Sequence, residues 1–124
     1  MKRILLCLMV ALFATGCLFA KNNDEKMNVM SYNIRYDNSG DKDNQWKFRR
    51  DFAADLVKFY EADVFGAQEV LNNQLNDLLN RLPEYAYVGV GREDGKTKGE
   101  YAPIFYRKDR FSVVFWIVRS RLLA

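Results

Sequence analysis

No histidine occurs anywhere in the 124 residues. Imidazole is the commonest general acid/base and a frequent metal ligand, so Ser–His, Cys–His and zinc–histidine chemistry are excluded for this chain acting alone. Cysteine is almost as scarce. Cys7 and Cys17 are the only two, both near the start, which rules out a disulfide framework. An excess of one charge is also missing: 19 basic residues face 16 acidic ones, a net +3. Without Lys2 and Arg3 the count is 19 − 2 = 17 against 16, about +1, too balanced for a dedicated nucleic-acid binder. What is present is globular in character, with 49% hydrophobic, 15% aromatic and 28% charged residues, and the length suits one domain.

Lys2 and Arg3 precede an unbroken apolar run, Ile4–Phe13. That run has the length of a signal-peptide core and is too short to span a bilayer. Ala14-Thr15-Gly16-Cys17 follows and resembles the lipobox of bacterial lipoproteins, whose cysteine is lipidated and becomes the mature N-terminus, although Ala14 stands where leucine is usual. Cleavage after Ala20 is the alternative. A buried core helix fits poorly, because Lys21–Lys26 is wholly polar. The expectation is a signal peptide over 1–20 with Cys17 as the lipidation site, then a linker over 21–26. The chain is thus expected to be exported, held at the membrane of a bacterial cell envelope by a lipid anchor or released to the periplasm.

Beyond the linker, Met27–Ile34 reads as a mostly buried strand and Arg35–Gln45 as a polar loop. Trp46–Tyr60 fits an amphipathic helix. Phe48, Phe52, Leu56 and Phe59 recur at helical steps as its apolar face, with Lys47, Arg49, Arg50, Asp51 and Asp55 opposite. Asp63–Ala67 is a short buried strand ending at Gln68-Glu69. Leu71–Leu82 is a second helix with its leucines on one face, stopped by Pro83. Tyr85–Val90 is a strand and Arg92–Glu100 a charged loop. Tyr101–Tyr106 and Phe111–Val118 read as an antiparallel pair. This order predicts a layered α/β or α+β domain.

Layered α/β proteins place their sites at strand ends. Asn33 and Arg35 end the first strand, Glu69 ends the second, and Glu100 stands before a later one. If the first two strands are neighbours, Asn33 and Glu69 meet at one sheet end. A carboxylate and an amide oxygen there suit a hard cation such as Mg²⁺, and Arg35 beside them suits a phosphate oxygen. Each residue also has a plain structural reading. Glu69 serves as a helix first-turn acid, Asn33 as a turn residue, Arg35 as a surface charge and Glu100 as a loop solubiliser.

Three sequence words favour the functional side. They are Met30-Ser31-Tyr32-Asn33-Ile34-Arg35, Asp63-Val64-Phe65-Gly66-Ala67-Gln68-Glu69-Val70 and Gly99-Glu100-Tyr101-Ala102-Pro103-Ile104-Phe105-Tyr106-Arg107. In this order the chain resembles the N-terminal portion of the endonuclease/exonuclease/phosphatase superfamily, deoxyribonuclease I-like proteins, over 27–116. The resemblance implies a four-layer sandwich of two β-sheets flanked by helices. It implies a hydrolase that uses Mg²⁺ (or Mn²⁺) to cleave phosphodiesters or phosphomonoesters. Glu69 matches the metal-binding glutamate. Asn33 matches an asparagine at a phosphate oxygen or second metal position. Glu100 matches a carboxylate that orients a catalytic histidine, and Arg35 lies near the phosphate-binding edge.

The family's later words, a catalytic histidine, an Asp-x-Asn pair and a Ser-Asp-His triplet, have no counterpart in this sequence. Phe115-Trp116 resembles a stretch that follows the third word in bacterial members, but 117–124 does not continue it. The expectation is therefore a truncated member with an atypical tail after a frameshift or deletion, not competent in catalysis alone. A lipid-anchored binding module and an unstable remnant are the alternatives. Small-molecule, lipid head-group and nucleic-acid phosphoesters all remain open as substrates.

Overall fold

The structure is a computed structural model that describes residues 26–114. The signal segment, Cys17, most of the linker and the 117–124 tail lie outside the described residues. Six elements follow in order: β1 (Val29–Asn33), α1 (Trp46–Phe59), β2 (Val64–Gln68), α2 (Asn72–Arg81), β3 (Tyr85–Val88) and β4 (Ile104–Arg107). A short 3-10 segment, Ser39–Asn44, precedes α1. The sheet order is β1-β2-β4-β3. β1 and β2 are parallel neighbours, as expected, and β4 runs antiparallel to both β2 and β3.

The position of β4 corrects one expectation. Ile104–Arg107 pairs with β2 and β3 and not with the segment after it, and Phe111–Val114 is not in a strand. The rest of the segment expected to pair with it, 115–118, lies outside the described residues. Burial explains the choice. In the centre of the sheet Phe105 stacks on Phe65 at 4.5 Å and meets Tyr87 at 5.9 Å, contacts that a local hairpin would forgo. The chain after β4 turns tightly, with Arg110 and Phe111 N–H both donating to Arg107 O.

Alternation assigns the two faces of the sheet. Met30, Tyr32, Phe65, Ala67, Tyr85, Tyr87 and Phe105 share the core with the two helices. Val29, Ser31, Asn33, Gly66, Gln68 and Ile104 alternate with them onto the other face, where Val29 and Ile104 are 65% and 49% exposed.

Helix α1 carries the second correction. Its buried side is Trp46, Ala53, Ala54 and Val57, whereas Phe48, Phe52 and Phe59 are exposed and Leu56 only half-buried. Two stripes with helical spacing coexist on this helix, and polar anchoring chooses between them. Trp46 Nε1 donates to Asp77 Oδ2 on α2 at 2.8 Å, and Arg50 and Arg81 flank the same aspartate. The small Ala53-Ala54 pair lies on this buried side.

Candidate active site

The parallel register sets Asn33 opposite Gln68, so the chain leaves β1 and β2 side by side. Both exits turn through the left-handed region, Arg35 at φ 60° and Glu69 at φ 57°. Neither residue is glycine, and such backbone costs on the order of 1 kcal/mol or more each. It persists only where neighbours hold it, and here they do. Arg35 N–H donates to Asn33 Oδ1 at 2.8 Å. Because a backbone N–H only donates, this bond fixes the Asn33 amide with its oxygen toward Arg35 and its NH₂ toward Glu69. Asn33 Nδ2 donates to Glu69 Oε1 at 2.8 Å, and Tyr36 N–H donates to Glu69 Oε2 at 3.3 Å.

These donors favour the ionised carboxylate. The Asn33 amide above all, then the Tyr36 N–H and the nearby Arg35 charge, hold Glu69 below the usual carboxylate range. Arg35 reaches Glu69 Oε2 only at 4.0 Å. Its guanidinium forks instead onto Asp41, with Nε at 3.1 Å and Nη2 at 3.0 Å, which raises the pKa of the arginine and lowers that of Asp41. Asp41, Asn44, Arg35 and Arg49 line a depression of about 350 Å³.

The structure thus brings Asn33, Glu69 and Arg35 together. Glu100 reaches the same end of the sheet by a different route. It precedes Tyr101, which exchanges backbone hydrogen bonds with Val70, the residue after Glu69. Its carboxylate pairs with Arg92 at 3.2 Å and makes no hydrogen bond to Asn33 or Glu69. The sequence reading missed Tyr36, Asp41, Arg49 and Gln74, which hold the site from behind. Arg49 donates to the carbonyls of Ile34, Arg35 and Asn44. Gln74 had a legible signal, a polar residue on the leucine stripe of its helix.

The donor set decides which cation fits. Among the described residues no three Asp, Glu, His or Cys side chains gather as a ligand cluster. One ionised carboxylate, with the neighbouring Asn33 amide oxygen held by Arg35 N–H, does not make a zinc or calcium cage. It does fit Mg²⁺ or Mn²⁺, ions that bind through one or two carboxylates and retain water.

No protein-family model matches the chain. Among solved structures, an endonuclease/exonuclease/phosphatase from Bacteroides vulgatus is 54% identical, with a TM-score of 0.68 over 68% of this chain and 33% of its own. A Bacteroides thetaiotaomicron mannosyl-6-phosphatase is 43% identical, with a TM-score of 0.70 over 73% of this chain and 34% of its own. A curated CCR4-Not complex 3'-5'-exoribonuclease subunit Ccr4 from Mycosarcoma maydis is 28% identical over 109 residues, 73% of this chain and 16% of its own length. The mixed sheet with its two helices is part of the deoxyribonuclease I-like fold. The chain belongs to the endonuclease/exonuclease/phosphatase superfamily and spans about a third of the length of these solved relatives.

Proposed function

We propose that the Asn33–Glu69 end of the sheet is the cation- and phosphate-binding part of a metal-dependent phosphoester hydrolase. The observation that carries this reading is the ionised Glu69 carboxylate, oriented by Asn33 and Tyr36 at the exit of two parallel strands. Glu69 would hold Mg²⁺ or Mn²⁺. Such an ion supplies Lewis-acid stabilisation of phosphoryl oxygens and a more acidic bound water. Asn33 has a second amide N–H to offer a phosphate oxygen, and Arg35, half-exposed beside Asp41, offers a cation at the rim. Glu100, paired with Arg92, would act beside them at the same sheet end.

A small phosphorylated molecule is the substrate class we favour. The support is the relative named a mannosyl-6-phosphatase and the near balance of charge in this chain, which is unlike that of a non-specific nucleic-acid binder. With no histidine among its 124 residues, the chain supplies binding groups and lacks the usual base. We therefore propose that these residues alone turn over phosphoesters slowly or not at all. Export and lipid attachment at Cys17, with membrane anchoring in the cell envelope, belong to the same proposal and rest on the sequence.

The test is hydrolysis of mannose 6-phosphate and of a generic phosphodiester by the full chain, with Mg²⁺ or with EDTA, beside Glu69→Ala. Weak turnover that needs both Mg²⁺ and Glu69, or Mg²⁺ binding without turnover, agrees with the proposal. Turnover indifferent to Glu69 and to EDTA overturns it.

A further inference from the structure

Helix α2 carries one fully buried polar side chain. Gln74 is 0% exposed, on the same helix face as Leu75 and Leu78, where an amide is tolerated only with its hydrogen bonds made. They are made, and mostly not within the helix. Oε1 accepts from Leu71 N–H at 3.0 Å and from Asp37 N–H at 3.1 Å, and Nε2 donates to Arg35 O at 2.9 Å. The Leu71 bond is an ordinary helix-start contact. The other two cross to a loop 37 and 39 residues away in the sequence.

Those two bonds bracket Tyr36, whose N–H donates to Glu69 Oε2. The Arg35 carbonyl that accepts from Gln74 also accepts from the Arg49 guanidinium at 3.3 Å. One amide therefore spans the exits of both strands, the loop that follows Asn33 and the loop that follows Glu69. It also helps to hold Arg35 in its left-handed conformation. With Gln74 removed, two N–H groups would lose their partner. The Arg35 loop would be free to relax toward water, turning the Tyr36 N–H away from the carboxylate.

We infer that Gln74 is a positioning residue for the Asn33–Glu69 site, setting the spacing of the two loops and through it the orientation of the Glu69 carboxylate. The inference rests on the reading of that site as cation-binding, and two independent readouts separate the two claims. Gln74→Met keeps the shape and removes all three bonds. Leu75→Ala destabilises the same helix and removes none of the three bonds. Mn²⁺ titration of the full chain followed by electron paramagnetic resonance reads the cation site, and amide exchange at Tyr36 by NMR reads the loop.

Gln74→Met is expected to weaken Mn²⁺ binding by about 10–100-fold, as loss of a residue behind a metal ligand does. Tyr36 exchange should rise by about tenfold or more, the equivalent of one lost hydrogen bond. Leu75→Ala should change neither beyond what its loss of global stability accounts for. Unchanged exchange at Tyr36 in Gln74→Met overturns the inference. If the parent chain binds no Mn²⁺, the cation reading falls and Tyr36 exchange alone decides the role of Gln74. If the Met variant does not fold, Gln74→Glu keeps the acceptor and loses the amide donor. Faster exchange at Tyr36 with Leu71 still protected supports the inference, and parent-like exchange at both overturns it.

Discussion

Among the described residues four charged side chains, Arg35, Lys42, Glu61 and Glu69, sit at positive φ. Glu61, at φ 48°, closes α1 through its backbone alone, its N–H donating to Lys58 O and its carbonyl accepting from Asn28 Nδ2. Glycine is the usual residue there, so Glu61→Gly should stabilise the fold by about 0.5–1 kcal/mol in chemical denaturation. At Glu69 the same relief would remove the carboxylate. Asp63 is a different case, a buried carboxylate bound by Asn28 N–H at 2.8 Å and paired with Arg110. The Asn28 N–H first, and then Arg110, lower its pKa. Its stabilisation is thus full above the ordinary aspartate range and is lost as pH falls through the lowered native value. Asp63→Asn should cost about 2 kcal/mol near neutrality, discounted for the part-exposed arginine. The gap in Tm between the two proteins should close in acid. At this scale the sequence showed Asn33 and Glu69, because polar residues at strand ends stand out. It did not show the strained backbone, since Arg35 and Glu69 are not residue types that announce it.

Helix α1 shows where periodicity stops being sufficient. Phe48, Phe52 and Phe59 recur at helical steps as well as any core stripe does, yet they face solvent. Hydrogen bonding of Trp46 to Asp77 and the Arg50–Asp77–Arg81 group select the other face, a tertiary choice that no count along one helix can anticipate. The orientation is testable by substitution. Phe52→Ser should change stability by no more than about 0.5 kcal/mol, as at an ordinary surface position. Ala54→Leu should cost about 1–3 kcal/mol by overpacking. The reverse pattern in denaturant titrations would place the phenylalanines inside. The strands were legible for a simpler reason. Each is short, lies between turn residues and puts apolar side chains on the core face, and β1 and β2 joined by one helix are parallel neighbours, as consecutive elements usually are. The partner of β4 was not legible, because pairing in the middle of the sheet depends on Phe65 and Tyr87, far away in the sequence.

For the molecule as a whole, one sheet face is covered by helices and the other is open over the described residues, with Val29 and Ile104 at its surface. Exposed apolar side chains of this kind bind hydrophobic dyes and promote association. Dye fluorescence with the chain should fall in the double variant Val29→Lys, Ile104→Lys, and an unchanged signal would place the apolar surface elsewhere. The chain spans about a third of the length of the solved relatives, and the proposal is that its Asn33–Glu69 end binds the cation. The most direct test of that reading is Mn²⁺ binding to the full chain, parent against Glu69→Gln, across the acid range. Binding is predicted to require Glu69 and to persist somewhat below the ordinary carboxylate range, because the native pKa of Glu69 is lowered. Absence of binding, or equal binding by the Glu69→Gln variant, would contradict it.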